Sequence, residues 1–213
     1  MSTDKWTADE TAVHFQGRAP EYIARAEKAA AHPFAMATLP MPLGGAQNLL
    51  EAAWWLIEKK GRPQRVLDFG CGCGQFFKFF TTGLGITSYR GLDASEPAIA
   101  AANKIWGEYF RVMDLRMYPA RAPLKKADLA FCHGVLMHLP AAAAQTTATL
   151  MRLTAPLQMV IEMTRPRPED NLAPHIFIHD YTKLFGTMIL KSPLNEYKDI
   201  FIFENPKRQV TGD

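Results

Sequence analysis

Three groups of residues in this sequence have types and spacings suited to chemistry. The first is Gly70, Gly72 and Gly74, which alternate with Cys71 and Cys73 directly after the short run Val66-Leu67-Asp68-Phe69. Glycines this close together serve a turn that needs positive φ or a backbone that a ligand approaches closely. With a helix-forming stretch following at Gln75, the run reads as a strand feeding a turn and a helix N-terminus, the usual cradle for a nucleotide-like group in α/β proteins. Its G-x-G-x-G spacing departs from the G-x-G-x-x-G of a dinucleotide fingerprint. Asp68, two residues before the first glycine, would repel a pyrophosphate and suit a ligand carrying a cationic amino group. The second group is acids at expected strand ends: Asp93 before Ala94 and Ser95, Asp114 before Leu115, and Glu162. The third is His133, which follows Cys132, and His138. An imidazole titrating near neutrality suits proton removal, which makes His133 a candidate catalytic base.

These residues need elements to position them. From residue 65 onward the pattern alternates: strands at 65–69, 88–93, 109–113, 127–132 and 157–163, with helices at 75–82, 96–106 and 140–153 between them. Ser95 is the expected N-cap of the helix 96–106, with Pro97 in its first turn. Such alternation implies βαβ units, a parallel sheet and right-handed crossovers. The runs 187–190 and 199–204 are joined by too few residues for a helix and are expected to pair antiparallel. Before this region, helices are expected at 21–31 and 47–60, separated by a stretch broken by Pro33, Pro40 and Pro42. Asp93, at the end of the second strand and about twenty residues past the glycine turn, is placed to accept hydrogen bonds from two ribose hydroxyls.

The run from Val66 to Gly74 resembles the glycine-rich first motif of class I S-adenosylmethionine-dependent methyltransferases, V-L-D-x-G-C-G-x-G. The resemblance covers about residues 65–204. It implies a Rossmann-like α/β fold, a seven-stranded, mostly parallel sheet with an antiparallel C-terminal hairpin, flanked by helices. It also implies an N-terminal helical lid or cap over residues 1–62, preceding a cofactor-binding domain at 63–213 within one compact unit. S-adenosylmethionine is the implied cofactor and S-adenosylhomocysteine the product. Asp68, Gly70, Cys71, Gly72, Gly74, Asp93, Ala94 and Ser95 fall on its expected binding positions. Asp114 matches the acid that accepts from the adenine amino group, a loop acid being the alternative, and Leu115 either packs on adenine or belongs to the core. Residues 128–140 resemble the family's segment after the fourth strand, so Cys132 and His133 are expected beneath the methionine part of the cofactor. Arg18, Tyr22, His138 and Glu162 are candidates for lid or substrate contacts, with ordinary helix surface or core-edge roles as the alternatives. Met36, Met41, Trp54 and Trp55 read as core rather than as an acceptor pocket.

Absences narrow the chemistry. No N-P-P-Y type tetrapeptide follows the fourth strand, Cys132 is preceded by Phe131 rather than proline, and Glu162-Met163-Thr164 stands where a metal-binding acid pair would. No metal is therefore expected, and three cysteines at these spacings form neither a disulfide framework nor a zinc site. A net charge of +3 is too slight to imply nucleic acid or an anionic membrane. Basic residues at 111, 116, 121, 125 and 126 read as a solvated face. No leader or membrane-spanning run is apparent, so the expected location is cytoplasmic. The expected partner is a small-molecule acceptor, methylated on oxygen or nitrogen by a monomer or homodimer. RNA or protein methylation, and a non-catalytic cofactor-binding module, are the alternative readings.

Overall fold

The structure is a computed structural model of the 213-residue chain and describes residues 7–31, 39, 41, 43–115, 124, 126–165 and 175–205. Seven strands form one sheet: β1 (Arg65–Phe69), β2 (Ser88–Asp93), β3 (Phe110–Val112), β4 (Leu129–His133), β5 (Leu157–Met163), β6 (Met188–Pro193) and β7 (Lys198–Glu204). Their order is β3-β2-β1-β4-β5-β7-β6. The first five run parallel, and β7 lies antiparallel to both β5 and β6. The expected seven-stranded sheet with its closing hairpin is what forms. The chain steps outward from β1 to β3, then returns to place β4 on the other side of β1. That reversal opens a crevice at the carboxyl ends of β1 and β4, where open α/β sheets bind ligands.

Side chains alternate between the two faces of each strand, and each face has its own cover. Helix α3 (Leu43–Lys60) buries Leu49, Ala52, Ala53 and Leu56. They join Val66, Phe131, Met159, Ile161, Ile200 and Ile202 in one core. On the opposite face, α5 (Ala141–Thr154) and α6 (Tyr181–Phe185) pack Ala148, Met151, Tyr181 and Phe185 against Leu67, Phe69, Ala130, Val160 and Phe203. Thus α3, within the stretch expected to form the cap, is a structural layer of the sheet. Trp54 on its outer side is 47% exposed, so the core reading fails for that residue, whereas Trp55 and Met41 do pack against the core. Met36 lies outside the described residues.

Two helices precede α3: α1 (Ala8–Gly17) and α2 (Ala19–Ala31). Helix α1 was not expected, although Thr-x-x-Glu at its start is a capping signal. The Thr7 amide donates to Glu10 Oε2 (2.7 Å) and the Glu10 amide donates to Thr7 Oγ1 (3.2 Å). Helix α2 packs on α4 (Glu96–Trp106), burying Ala26 against Ala98 and Cys73. Of the expected helix at 75–82, residues 75–76 form a turn and 77–78 are α-helical, leading into one π-helical turn, Phe79–Gly83, in which the Leu84 amide reaches back to the Phe79 carbonyl. The aromatic run around this turn packs on the sheet. Phe76 and Phe80 both meet Phe131, with ring centroids 4.8 and 4.9 Å apart, while Phe77 meets Tyr89 at 5.4 Å.

Candidate functional site

The glycine turn after β1 is built for two purposes. Gly70, Gly72 and Gly74 all have positive φ (74°, 53° and 75°). A Cβ at Gly70 would come within 2.1 Å of Val135, and one at Gly74 within 2.6 Å of Phe110. Those two glycines let protein close in on protein. Gly72 differs, because a Cβ there meets nothing within 4 Å. Its backbone faces open space at the crevice. The turn is tied to the second strand by the Gly70 and Cys71 amides, which donate to the Leu92 carbonyl (2.7 and 3.0 Å). Cys71 and Cys73 are buried, and burial pushes the Cys73 thiol up to about 12. Neither is a reactive thiolate; they fill space beside the turn.

Asp93 closes this side of the crevice. The Gly72 amide donates to its Oδ2 (2.8 Å) and the Ser95 amide to its Oδ1 (2.9 Å). A carboxylate with one such bond on each oxygen keeps lone pairs for hydroxyl donors. Burial raises its pKa. Ala94 is exposed beside it, while the buried Ser95 hydroxyl accepts from the Ala98 amide as the cap of α4 (3.4 Å). Asp114 follows β3, whose end is fixed at Asp93 by the Met113 amide donating to the Asp93 carbonyl (2.8 Å). Leu115 packs in the core with Leu92 and Phe69, so of its two readings the core one holds for its side chain. Asp68 is buried and accepts from the Tyr89 hydroxyl. Burial, with the charge of Asp93 adding to it, raises Asp68 to about 7. That cost falls on the charged form and would be relieved by a cation brought near.

The other side of the crevice is formed by β4, β5 and β7. Glu162 on β5 is fully buried and does not face the crevice as a substrate contact. Its Oε1 accepts from the Val135 and Leu136 amides (2.8 and 2.9 Å) and from the Cys132 thiol (3.3 Å), and its Oε2 from the Met137 amide (3.1 Å). One carboxylate thereby holds the whole 3-10 turn Leu136–His138 that follows β4. Cys132 is likewise turned into the core, so the expectation that it contacts a cofactor fails for its side chain. His133 lies at the end of β4 on the opposite face, its ring 5.0 Å from that of Phe76. Burial, then the charges of Lys198 and His138, hold it well below the usual imidazole range. His138 Nδ1 donates to the His175 carbonyl (3.3 Å), and its ring stacks on the His175 ring (5.3 Å), which stacks in turn on His14 of α1 (5.0 Å). Burial lowers His138 to about 3.

Comparison with known proteins then settles the class of domain. Residues 67–157, which include the glycine turn, Asp93 and the turn after β4, match a family described as a methyltransferase domain. The chain carries a methyltransferase domain. No curated protein matches the sequence. Among solved structures, the magnesium protoporphyrin IX methyltransferase ChlM of Synechocystis PCC 6803 with bound S-adenosylhomocysteine is 22% identical, covering 76% of this chain and 84% of that one (TM-score 0.54). The DhpI complex with S-adenosylhomocysteine is 16% identical over 90% of this chain and 96% of that one (TM-score 0.59). TehB of Haemophilus influenzae is 14% identical over 73% and 62% (TM-score 0.58). At these identities the structures share the class I methyltransferase fold with this chain.

Within the methyltransferase domain, the sequence had pointed to Gly70, Gly72, Gly74 and Asp93, and these do come together at the crevice. Arg18 and Tyr22, expected as lid or substrate contacts, make contacts at the start of α2 and beside the glycine turn. Arg18 pairs with Glu21 (3.0 Å) and lies over the Tyr22 ring (5.3 Å), and Tyr22 packs against the cluster of Ala26, Cys73 and Ala98. Two residues escaped the sequence reading. Tyr89 carries no motif and is recognisable only from its bond to Asp68. Lys198 opens β7, opposite Met163 at the end of β5, and its Nζ would lie 3.2 Å from a Cβ at Gly134. A lysine at the start of the reversed strand was the available signal, because that start returns to the carboxyl edge. Among the described residues, no group of His, Cys, Asp or Glu is arranged to hold a metal. The basic positions 116, 121 and 125 lie outside the described residues.

Proposed function

We propose that this chain transfers a methyl group from S-adenosylmethionine to an oxygen or nitrogen of a small-molecule acceptor, leaving S-adenosylhomocysteine. The observation that carries the reading is the open face of Gly72 beside the Asp93 carboxylate, within a segment that matches a methyltransferase domain. The residues present fit such a cofactor: a turn whose central glycine faces space, a carboxylate for ribose hydroxyls, and Asp114 at the next strand end for adenine. Asp68, costly as a buried anion, favours a cationic group over the turn. The bound cofactor supplies an activated methyl on sulfur; the protein has only to orient the acceptor in line with it and exclude water. Helix α2, packed on Cys73 and α4, is the natural cap over the donor side. Residues 63–213 then form the catalytic unit, while α1 and α2 alone act as the cap.

Small-molecule neighbours such as ChlM and the slight net charge of +3 support a small acceptor over nucleic acid. Among the described residues no helix is long and apolar enough to cross a membrane. Three buried, unbridged cysteines accord with a reducing, cytoplasmic setting. Calorimetric titration with S-adenosylhomocysteine tests the core of this reading. Binding is expected in the wild type and at least about tenfold weaker in Asp93→Ala, which removes a charged hydrogen-bond acceptor. Unchanged binding in the Asp93→Ala, Gly72→Val double variant would overturn it.

A further inference from the structure

The open face of Gly72 is held from both sides by side chains that come from different elements. Before it, the Gly72 amide donates to Asp93 at the end of β2 (2.8 Å). After it, the Cys73 carbonyl accepts from the indole Nε1 of Trp106, the last residue of α4 (2.9 Å). The second bond has a task the first does not. Cys73 stands between two glycines with positive φ, Gly72 at 53° and Gly74 at 75°. Glycine adopts either sign of φ at little cost, so the peptides flanking Cys73 have no strong preference of their own for one orientation. The Cys73 carbonyl must be fixed from outside, and Trp106 does so. Its ring is itself fixed: a Cβ on Gly74 would lie 2.8 Å from Trp106 Cδ1, and the Phe77 ring centroid is 5.6 Å away. Asn103, one turn earlier on α4, exchanges two bonds with the Phe110 backbone (3.1 Å each), which ties this end of the helix to β3.

Trp106 also meets the cap. The Lys78 ammonium lies over its ring, 5.8 Å from the centroid, and donates to the Ala30 carbonyl (2.8 Å). Ala30 is in the last turn of α2, where carbonyls have no partner within the helix and the dipole favours a cation. Ala26 of the same helix packs on Cys73, the residue whose carbonyl Trp106 holds. A continuous path therefore runs from the Gly72 backbone through Cys73, Trp106 and Lys78 to the C-terminal end of α2.

Resting on the methyl-transfer reading above, we propose that Trp106 is a positioning residue for the cofactor, its indole setting the Cys73 carbonyl and with it the Gly72 backbone, and that Lys78 links this setting to α2, so that cradle and cap respond to the cofactor together. Trp106 acts from behind the turn and not by touching the ligand. The element with two arrangements is the Cys73 unit, which its flanking glycines allow to rotate. The coupling is reciprocal. A cofactor that steadies the turn steadies the docked end of α2, and a docked α2 favours the binding form of the turn.

Calorimetric titration with S-adenosylhomocysteine and hydrogen exchange of the α2 amides test the two links in turn. Trp106→Phe keeps a ring between Phe77 and Lys78 and removes the N–H. It is expected to bind S-adenosylhomocysteine about fivefold more weakly, as loss of one hydrogen bond does. Lys78→Met is expected to weaken binding about threefold, the scale of a cation–ring contact, with Lys78→Arg restoring the wild-type affinity. In the wild type, saturating S-adenosylhomocysteine is expected to slow exchange of the amides of residues 26–31. That slowing is expected to be lost in Trp106→Phe and in Lys78→Met, each measured at saturation. A merely structural bond would lower the melting temperature of Trp106→Phe and leave its affinity unchanged, and that outcome would overturn the assignment of Trp106. Slowing retained in Lys78→Met would overturn the link to α2. If Trp106→Phe does not fold, Lys78→Met still decides, since wild-type affinity in that variant overturns the proposal as well. Failure of the wild type to bind S-adenosylhomocysteine would instead remove the methyl-transfer reading, and this inference with it.

Discussion

The two halves of the crevice solve the same problem in different ways. The donor half, from β1 to β3, is made of backbone: three glycines with positive φ, amides donated to Leu92 and Asp93, and one carboxylate at a strand end. The opposite half, from β4 to β7, to which the proposed reading gives the acceptor, is built from side chains of three strands: His133, Glu162 and Lys198. Backbone geometry binds what is common to every reaction of this kind, whereas side chains can be exchanged to suit one acceptor. The contrast has energetic consequences that substitutions expose.

The largest effect belongs to Glu162, because one buried group satisfies three amides. Glu162→Ala leaves those donors buried without partners and opens a cavity, at a cost of about 5 kcal/mol. That is comparable with the whole stability of an ordinary domain, so the variant is expected not to fold stably. Glu162→Gln retains one acceptor oxygen and should lose about 2 kcal/mol in urea titration. If Glu162→Ala instead melts like the wild type, the turn after β4 is held by something else, and the acceptor half is less dependent on side chains than the geometry says. In the donor half, Gly70→Ala drives a methyl to within 2.1 Å of Val135 at a φ of 74°. Overpacking and a left-handed alanine together should cost about 4 kcal/mol, read as a lowered denaturation midpoint.

These two residues also show why one half was legible in sequence and the other was not. The glycine turn is contiguous, so its types and spacing survive in the linear chain; the bounds of β1, β2, α4 and β5 were likewise written in local patterning and end cues. Glu162 was expected to face substrate because its partners lie 25–27 residues upstream, in the turn after β4, and no local pattern points to them. Lys198 was missed for the same reason, since its neighbours at Gly134 and Met163 are adjacent only once the last strand reverses. The π-helical turn at Phe79–Gly83 has no cue in the local sequence, which reads simply as helix-forming. Helix α1, by contrast, was written in Thr7 and Glu10 and only needed reading.

The halves also respond to pH in opposite directions. Asp68, on the donor side, is raised from 3.8 to about 7 by burial. The folded state holds its proton more tightly than the unfolded chain, so the contribution to stability is fully present below pH 4 and is lost as pH rises towards 7. His138, on the acceptor side, is lowered from 6.5 to about 3. Its contribution is fully present above pH 6.5 and is lost as pH falls towards 3, because only the unfolded chain takes up the proton. Each arm should amount to about 4 kcal/mol. Stability measured by urea titration across pH 4–8 is expected to lose its alkaline decline in Asp68→Asn and its acid decline in His138→Gln. An unchanged profile in either variant would mean that the group stays solvated and that its half of the crevice is open.

The smallest effect on folding should accompany the sharpest effect on function. Gly72→Ala places a methyl at a φ of 53° where it touches nothing, so only the left-handed conformation is penalised, at about 1 kcal/mol. The space the methyl enters is the space assigned to the cofactor. Calorimetry should therefore show binding of S-adenosylhomocysteine weakened by about tenfold or more, the equivalent of about 1.4 kcal/mol or above, with a melting curve close to wild type. Gly70→Ala, two residues earlier, is expected to show the reverse order of damage, with stability falling first. If the two alanines behave alike, the division of the turn between protein packing at Gly70 and ligand space at Gly72 is wrong, and the donor half has no preformed cradle.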